Sequence, residues 1–487
     1  MFNLLKDPWI QVYQNNETKK IGLFDLFKNM EQIEDIIGTI VEKIAVIRLL
    51  LCITQAALDG PKNEKDYEKC KNRIQNSSLC YLKKWEKSFD LYGSFLQVSD
   101  LKKIVLNSNK GLKTIIFERA EGDQHTLFDL KSRDRNKKLE LTPEKIAMSL
   151  LTYQIFVPGG FLKVLGVTSG LGSIPVNILL TIIQGKNLLE TVYFNLISKD
   201  KMLEDKKEFG KPIWEFNIKN NLIKNPEKWK LYPSRSYLYN LVPLSRSIYI
   251  EENKPDFYMA DGIRIEKNKF VTLYRDPMGT TYLNKKTREP AYLLIDPDKA
   301  SWRSLQSILS NGKNGGKGAY ALSNLFYLKK NKLIQKINIL TGGLSCNKAK
   351  IIDFCEWSYS VDLSMCEELP IILYEELIDN ANFFAGRIKE ALDIYRKVSN
   401  QQKSFCDSLK NQALRTYWGI LESRSNELIK SICTCYVPPI KKEKCDWWKI
   451  LVKNEATKAF ETACNKNILY NPKAYVQALN FLRKDKK

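Results

Sequence analysis

The segment "PGGFLKVLGVTSGLGSIPV", Pro158 to Val176, holds five glycines, at positions 159, 160, 166, 170 and 172, and one lysine. Glycine-dense stretches let a backbone approach a ligand, often a phosphate, without side-chain clash. The spacing misses the dinucleotide fingerprint GxGxxG, and no GxxxxGK[ST] phosphate loop occurs in the chain. Side chains suited to making and breaking bonds are scarce. His125 is the only histidine. A Ser-His-Asp or Cys-His site would have to use it, and a histidine-rich metal site cannot be assembled. Asp296 and Asp298 in "IDPDKASW" could hold a metal, but Asp-Pro-Asp also suits a turn leading into a helix cap. Cys433 and Cys435 form a lone CxC with Cys445 beyond it. The eleven cysteines show no paired framework, and packed thiols in a reducing cytoplasm account for them. No cofactor, metal or enzymatic activity is expected.

Charge points toward partners. Lys and Arg number 77 against 55 Asp and Glu, a net charge of +22. Such an excess suits a polyanion: DNA, RNA or an anionic surface. A general lysine bias that only aids solubility is the plainer alternative. Three segments combine basic side chains with loop character. "HTLFDLKSRDRNKK", from His125, carries Lys131, Arg133, Arg135, Lys137 and Lys138; it reads as a phosphate-tracking loop or as solvated surface. The glycine segment contributes Lys163. "TGGLSCNKAK", Thr341 to Lys350, places Gly342 and Gly343 ahead of Asn347 and Lys348. It reads as a glycine-led turn offering short polar and basic side chains to a groove, or as an ordinary β-turn. "NGKNGGKGAY", from Asn311, reads as a mobile basic loop or a tip with no partner.

The elements that must position these segments follow from periodicity. "WIQVYQ" near the N-terminus reads as a strand. The most apolar stretch, Ile40 to Leu58, carries Glu42, Lys43 and Arg48, so it reads as a buried helix and not a membrane span. No signal peptide is expected from "MFNLLKDPWI", where Lys6 and Asp7 interrupt any apolar run. "VNILLTIIQ", Val176 to Gln184, reads as a buried strand. "NLLETVYFNLI" follows as a helix with Asn187 as N-cap. "KFVTLYRDPMGTTYLNKK" reads as strand, turn and strand, with the turn near Pro277 to Gly279. "DKASWRSLQSIL" reads as helical. Near residue 366 glycine almost vanishes and helical spacing takes over: Leu373, Leu377, Ala381, Phe384, Ile388, Ala391 and Tyr395, then Phe405, Leu409, Ala413, Tyr417, Ile420 and Leu428. A proline pair at "VPPIKKEK" breaks the chain before two more helical stretches. The expected class is α+β: a mixed α/β domain over 1–365, followed by an antiparallel four-helix bundle over 366–487.

The opening "FNLLKDPWIQV" resembles the "NLL-x-x-PWIPV" start of the CasA family, the large subunit of the type I-E CRISPR Cascade surveillance complex. The resemblance continues through "IRLLLCITQAALDGP", the glycine segment, "SWRSLQSIL" and "TYWGILESRSNELI". It implies a subunit that recognises the protospacer-adjacent motif in duplex DNA, starts strand separation for R-loop formation and helps recruit a helicase-nuclease. The implied partners are crRNA, target double-stranded DNA, the other Cascade subunits and that nuclease, with no membrane. The family's glycine loop falls on Gly159, Gly160 and Lys163. Its basic finger falls on "EKNKF", with Lys269 first and Lys267 second. Its wedge hairpin falls on "GGLSCNKAK", with Asn347, Lys348 and Ala349 at the tip. Lys348 stands where the family pattern carries a glutamine. The flexible loop meeting the guide end and the duplex falls on Phe128 to Lys138. Two other classes fit the charge: a stand-alone, sequence-neutral nucleic-acid binder, and a metal-dependent nuclease using carboxylates only.

Overall fold

The structure is a computed structural model that describes residues 2–103, 105, 110–117, 141–160, 172–204, 208–216, 236–254, 256–262, 275–284, 286–310, 316–330, 334–436, 442–464 and 471–484. It is an α+β protein with two compact units. The first takes in residues 1–299, 310–333 and 337–358. The second takes in 300–309, 334–336 and 359–487.

In the first unit, β1 (Ile10–Gln14) alternates as its sequence predicts, with Ile10, Val12 and Gln14 turned inward. It turns into β2 (Glu17–Ile21) through Asn15 and Asn16, both at positive φ. That is the backbone a two-residue hairpin loop needs and asparagine tolerates. Helix α1 (Leu23–Lys28) leads to β3 (Ile33–Ile36), which completes a sheet of order β2-β1-β3. Helix α2 (Ile40–Leu58) starts at a capping box in which Thr39 and Glu42 satisfy each other's backbone N–H. A short strand, β4 (Lys110–Gly111), precedes α3 (Pro143–Phe156). Then come β5 (Leu180–Gln184) and α4 (Leu188–Asn195), capped by Asn187 accepting from the Glu190 N–H at 3.0 Å. Strands β6 (Arg246–Ile250) and β7 (Asp256–Asp261) form a sheet with β4 in the order β4-β7-β6. The strand after the Pro277–Gly279 turn, β8 (Thr281–Leu283), pairs forward with β9 (Pro290–Tyr292). Finally β10 (Lys336–Asn347) and β11 (Lys350–Asp362) form a long hairpin, flanked by β5 in the order β11-β10-β5.

Gly316 to Tyr320 is not a loose tip: Lys317 and Thr281 exchange backbone hydrogen bonds of 2.8 and 3.0 Å. Asp296 and Asp298 make a local turn, the Asp298 N–H donating to the Asp296 carboxylate at 3.0 Å.

Helix α2 is buried along its length, Arg48 included. The Arg48 guanidinium lies against both Asp276 carboxylate oxygens at 3.0 and 2.7 Å. It also donates to the backbone carbonyls of Asn240 and Leu241. A buried cation is tolerable only when its donors are met in this way.

The second unit is helical: α5 (Glu368–Ser399), α6 (Lys403–Ser423), α7 (Ser425–Cys435), α8 (Asp446–Cys464) and α9 (Pro472–Arg483). Helix α7 continues α6 after a break at Arg424, so the unit is a four-helix arrangement of α5, α6–α7, α8 and α9. The predicted stripe is largely the buried one. Phe384, Phe405 and Ile420 are half-exposed, however, and their neighbours Ala385, Cys406 and Leu421 are buried instead. The 3.6-residue repeat drifts against a fixed 3–4 spacing. Buried polar groups fix the helices against one another: the Tyr417 hydroxyl donates to the Ala381 carbonyl at 2.9 Å, and the Trp448 indole to that of Leu377 at 3.2 Å. Cys435 and Cys445 lie with their sulfurs 3.2 Å apart. Among the described residues no three His, Cys, Asp or Glu side chains gather as a metal set. No described helix is long and apolar enough to cross a membrane.

Arg48→Met should destabilise the first unit by about 3–5 kcal/mol, because Asp276 is left buried and unpaired. The double change Arg48→Met with Asp276→Leu should recover a large share of that loss. Urea unfolding checks both; equal stability of the single and double variants would show that an unpaired Asp276 is not the source of the loss.

Candidate nucleic-acid interface

The site is built on the β10–β11 hairpin. Its strands are joined through Lys348 and Ala349 alone. Lys348 sits at φ +58, where a Cβ crowds the backbone and glycine is at ease. The glycines expected in the turn are elsewhere. Gly342 and Gly343 lie within β10, and Gly342 pairs with Leu180 of β5. A Cβ on Gly342 would strike the Cys355 carbonyl oxygen and come within 2.8 Å of Ile40. Their role is close strand packing, so the tip is not led by glycine.

The hairpin is no freely projecting arm. β10 is buried from Ile339 through Cys346, and only then do Asn347, Lys348 and Lys350 become exposed. The stem is apolar and fixed, and the tip is short, polar and cationic. Burial pushes the Cys346 and Cys355 thiols up to about 12, which keeps them protonated and unreactive near the tip. Lys350, which the sequence reading passed over, adds a second exposed cation. The alternation Asn-Lys-Ala-Lys was its signal in the sequence.

Against this tip lies the start of the glycine segment, brought there by α3. Gly160 is placed so that a Cβ on it would sit 3.7 Å from the Cβ of Ala349. That is ordinary van der Waals contact, and the backbone there is not in the left-handed region. Among the described residues, then, nothing requires glycine at 160. The fold does require one at 172, where a Cβ would meet the Gly159 nitrogen at 2.9 Å. The Ser173 N–H donates to the Val157 carbonyl at 2.9 Å and its hydroxyl to that of Ile155 at 2.6 Å. So the segment's two ends, at 157–160 and 172–173, are tied together. Gly159, Gly160, Asn347, Lys348 and Ala349 thus belong to one neighbourhood. Lys163, Lys267, Lys269, Phe128, Lys131, Arg133, Arg135, Lys137 and Lys138 lie outside the described residues, as does His125.

What this geometry defines is an α+β protein that offers a rigid, cationic hairpin tip beside a side-chain-free backbone. The sequence model of the CRISPR-associated protein Cse1 family matches residues 3–459, and the chain belongs to that family. A CRISPR-associated protein CasA/Cse1 from Thermus thermophilus is 25% identical over 446 residues, spanning 86% of this chain and 85% of the relative. Among solved structures, Thermus thermophilus CasA (Cse1) superposes with a TM-score of 0.78 at 21% identity, covering 99% of this chain and 98% of that one. Thermobifida fusca Cse1 gives 0.75 at 16% identity, with 99% and 97% covered. A chain of a CRISPR RNA-guided surveillance complex gives 0.78 at 14% identity, with 99% of each covered.

Backbone strain makes position 348 diagnostic. Lys348→Gly should leave stability unchanged or raise it by up to about 1 kcal/mol, whereas Lys348→Val should lower it by about 1–2 kcal/mol. Gly160→Ala should shift stability by less than about 0.5 kcal/mol, and Gly172→Ala by more than about 1 kcal/mol. Urea midpoints of the four variants test this; a valine tolerated as well as glycine at 348 would contradict the assigned turn.

Proposed function

We propose that this chain is the large subunit of an RNA-guided CRISPR surveillance complex. In that role it reads a short motif beside the target in duplex DNA, starts strand separation and helps recruit a helicase-nuclease. Its partners are crRNA, target DNA, the other subunits and that nuclease acting in trans; it catalyses no reaction itself. The observation that carries this reading is the exposed turn Asn347–Lys350 on a buried stem, beside Gly160, where a Cβ would meet only Ala349 among the described residues. Family membership and the fold shared with a chain of an RNA-guided surveillance complex support the assembly.

The physical division of labour is simple. Base pairing with a guide reads the sequence, so protein has only to read the short motif and begin opening. Gly159 and Gly160 bring bare backbone to the minor groove, with Lys163 beside them. That groove's donor and acceptor pattern is degenerate, so such a reader tolerates several motifs. Lys269, with Lys267 second, contacts the motif. Phe128 and the basic run from Lys131 to Lys138 meet the guide end and the duplex. Lys348, between Asn347 and Ala349, props the first base step. Unstacking a step costs a few kcal/mol. A lysine stacks less well than a planar amide, but its charge holds a displaced phosphate.

Purification of the tagged chain from its host should bring down a fixed set of smaller proteins and one short RNA. In that assembly, Lys348→Ala should slow R-loop formation on linear duplex roughly tenfold, the loss of one charge-assisted contact of about 1.5 kcal/mol. A target already mismatched at its first guide-paired bases should be opened at the unaltered rate. Equal slowing on both substrates would reduce Lys348 to a phosphate contact.

A further inference from the structure

The ladder between β5 and β10 runs only from Asn338–Gln184 to Gly342–Leu180. Beyond it, among the described residues, the outer edge of β10 from Gly343 to Asn347 has no strand beside it, yet residues 343–346 are buried. Buried amides left unpaired cost about 1–3 kcal/mol each, and a loose edge would let the tip swing. One residue takes the place of the missing strand. The Asn177 backbone N–H donates to the Leu344 carbonyl at 2.9 Å. Its side-chain Oδ1 accepts from the Cys346 N–H. Its own carbonyl accepts from the Ile295 N–H at 2.9 Å. Asn177 adopts φ +66, a left-handed conformation that asparagine accepts more readily than most residues with a Cβ. The next residues, Ile178 and Leu179, turn to the other side and pair with the chain at 293–294. Asn177 therefore spans the gap between that segment and β10. It grips β10 at Cys346, immediately before the exposed Asn347.

We propose that Asn177 is a positioning residue for strand opening: its side chain holds the neck of the hairpin so that the Asn347–Lys350 tip meets the duplex as a stiff element. This rests on the reading of that tip as the part that enters DNA. Two substitutions separate the side-chain grip from the backbone strain. Asn177→Gly keeps the left-handed backbone and removes Oδ1; Asn177→Asp keeps both the conformation and an acceptor oxygen.

Amide hydrogen exchange on the full chain reads the grip, and R-loop formation by the assembled complex reads its consequence. In Asn177→Gly, exchange at Cys346 should accelerate at least about tenfold, while amides 338–342 keep their protection. The same variant should open linear duplex several-fold more slowly and act normally on a target already mismatched at its first guide-paired bases. Asn177→Asp should restore both readouts. Wild-type exchange at Cys346 in Asn177→Gly overturns the proposal, as does failure of Asn177→Asp to rescue. A wild-type opening rate for Asn177→Gly beside a slow Lys348→Ala overturns the proposal alone. A wild-type rate for Lys348→Ala overturns the reading of the tip and the proposal with it.

Discussion

The ion pair between Arg48 and Asp276 is the constraint on which the rest of the first unit's site geometry depends. Both side chains are buried, at 0% and 2% exposure, so neither charge can turn to water. Asp276 also accepts from the Met278 N–H at 2.9 Å, which shapes the Pro277–Gly279 turn. That turn flanks β5, the Met278 carbonyl accepting from the Thr181 N–H at 3.0 Å. β5 in turn pairs with β10, and β10 ends in the Lys348 turn. A charge in the middle of helix α2 is thus linked, bond by bond, to the placement of an exposed lysine far along the chain. Buried pairs of this kind add little net stability but penalise every arrangement that separates them.

The tip and its stem divide the work between rigidity and chemistry. The stem is packed so closely that Gly342 cannot carry a Cβ. The tip offers only amide and ammonium groups, which suit sugar, phosphate and base edges. Gly160 lies beside it, with Ala349 as the nearest described neighbour of the space a side chain would fill. A net charge of +22 suits long-range attraction to a polyanion, and under the proposed reading the local geometry sets where a duplex would be met.

Much of this was legible in the sequence, for identifiable reasons. Strand β1 alternates, helix α2 is a long apolar run, and the Asn187 cap announces α4 three residues before Glu190 uses it. The bundle's apolar repeat is plain, though Ala385 and not Phe384 is buried because the 3.6-residue repeat drifts against a fixed 3–4 spacing. Asn347 and Lys348 read correctly as polar and basic side chains offered at a turn. The glycines at 342 and 343 misled, since a strand passing close under another backbone and a turn both call for glycine. Asn177 and the Arg48–Asp276 pair were not legible. Each acts across well over a hundred residues of sequence, and neither belongs to a local motif.

Whether the hairpin tip enters the duplex is read most directly by a photo-crosslink from that tip. Benzoylphenylalanine would be incorporated at position 347 and the assembled complex irradiated on a duplex carrying a recognised motif. A tip that props the first base step should give adducts confined to that step beside the motif, lost when the motif is changed. Adducts spread evenly along the backbone, or formed only with neighbouring protein, would contradict that role.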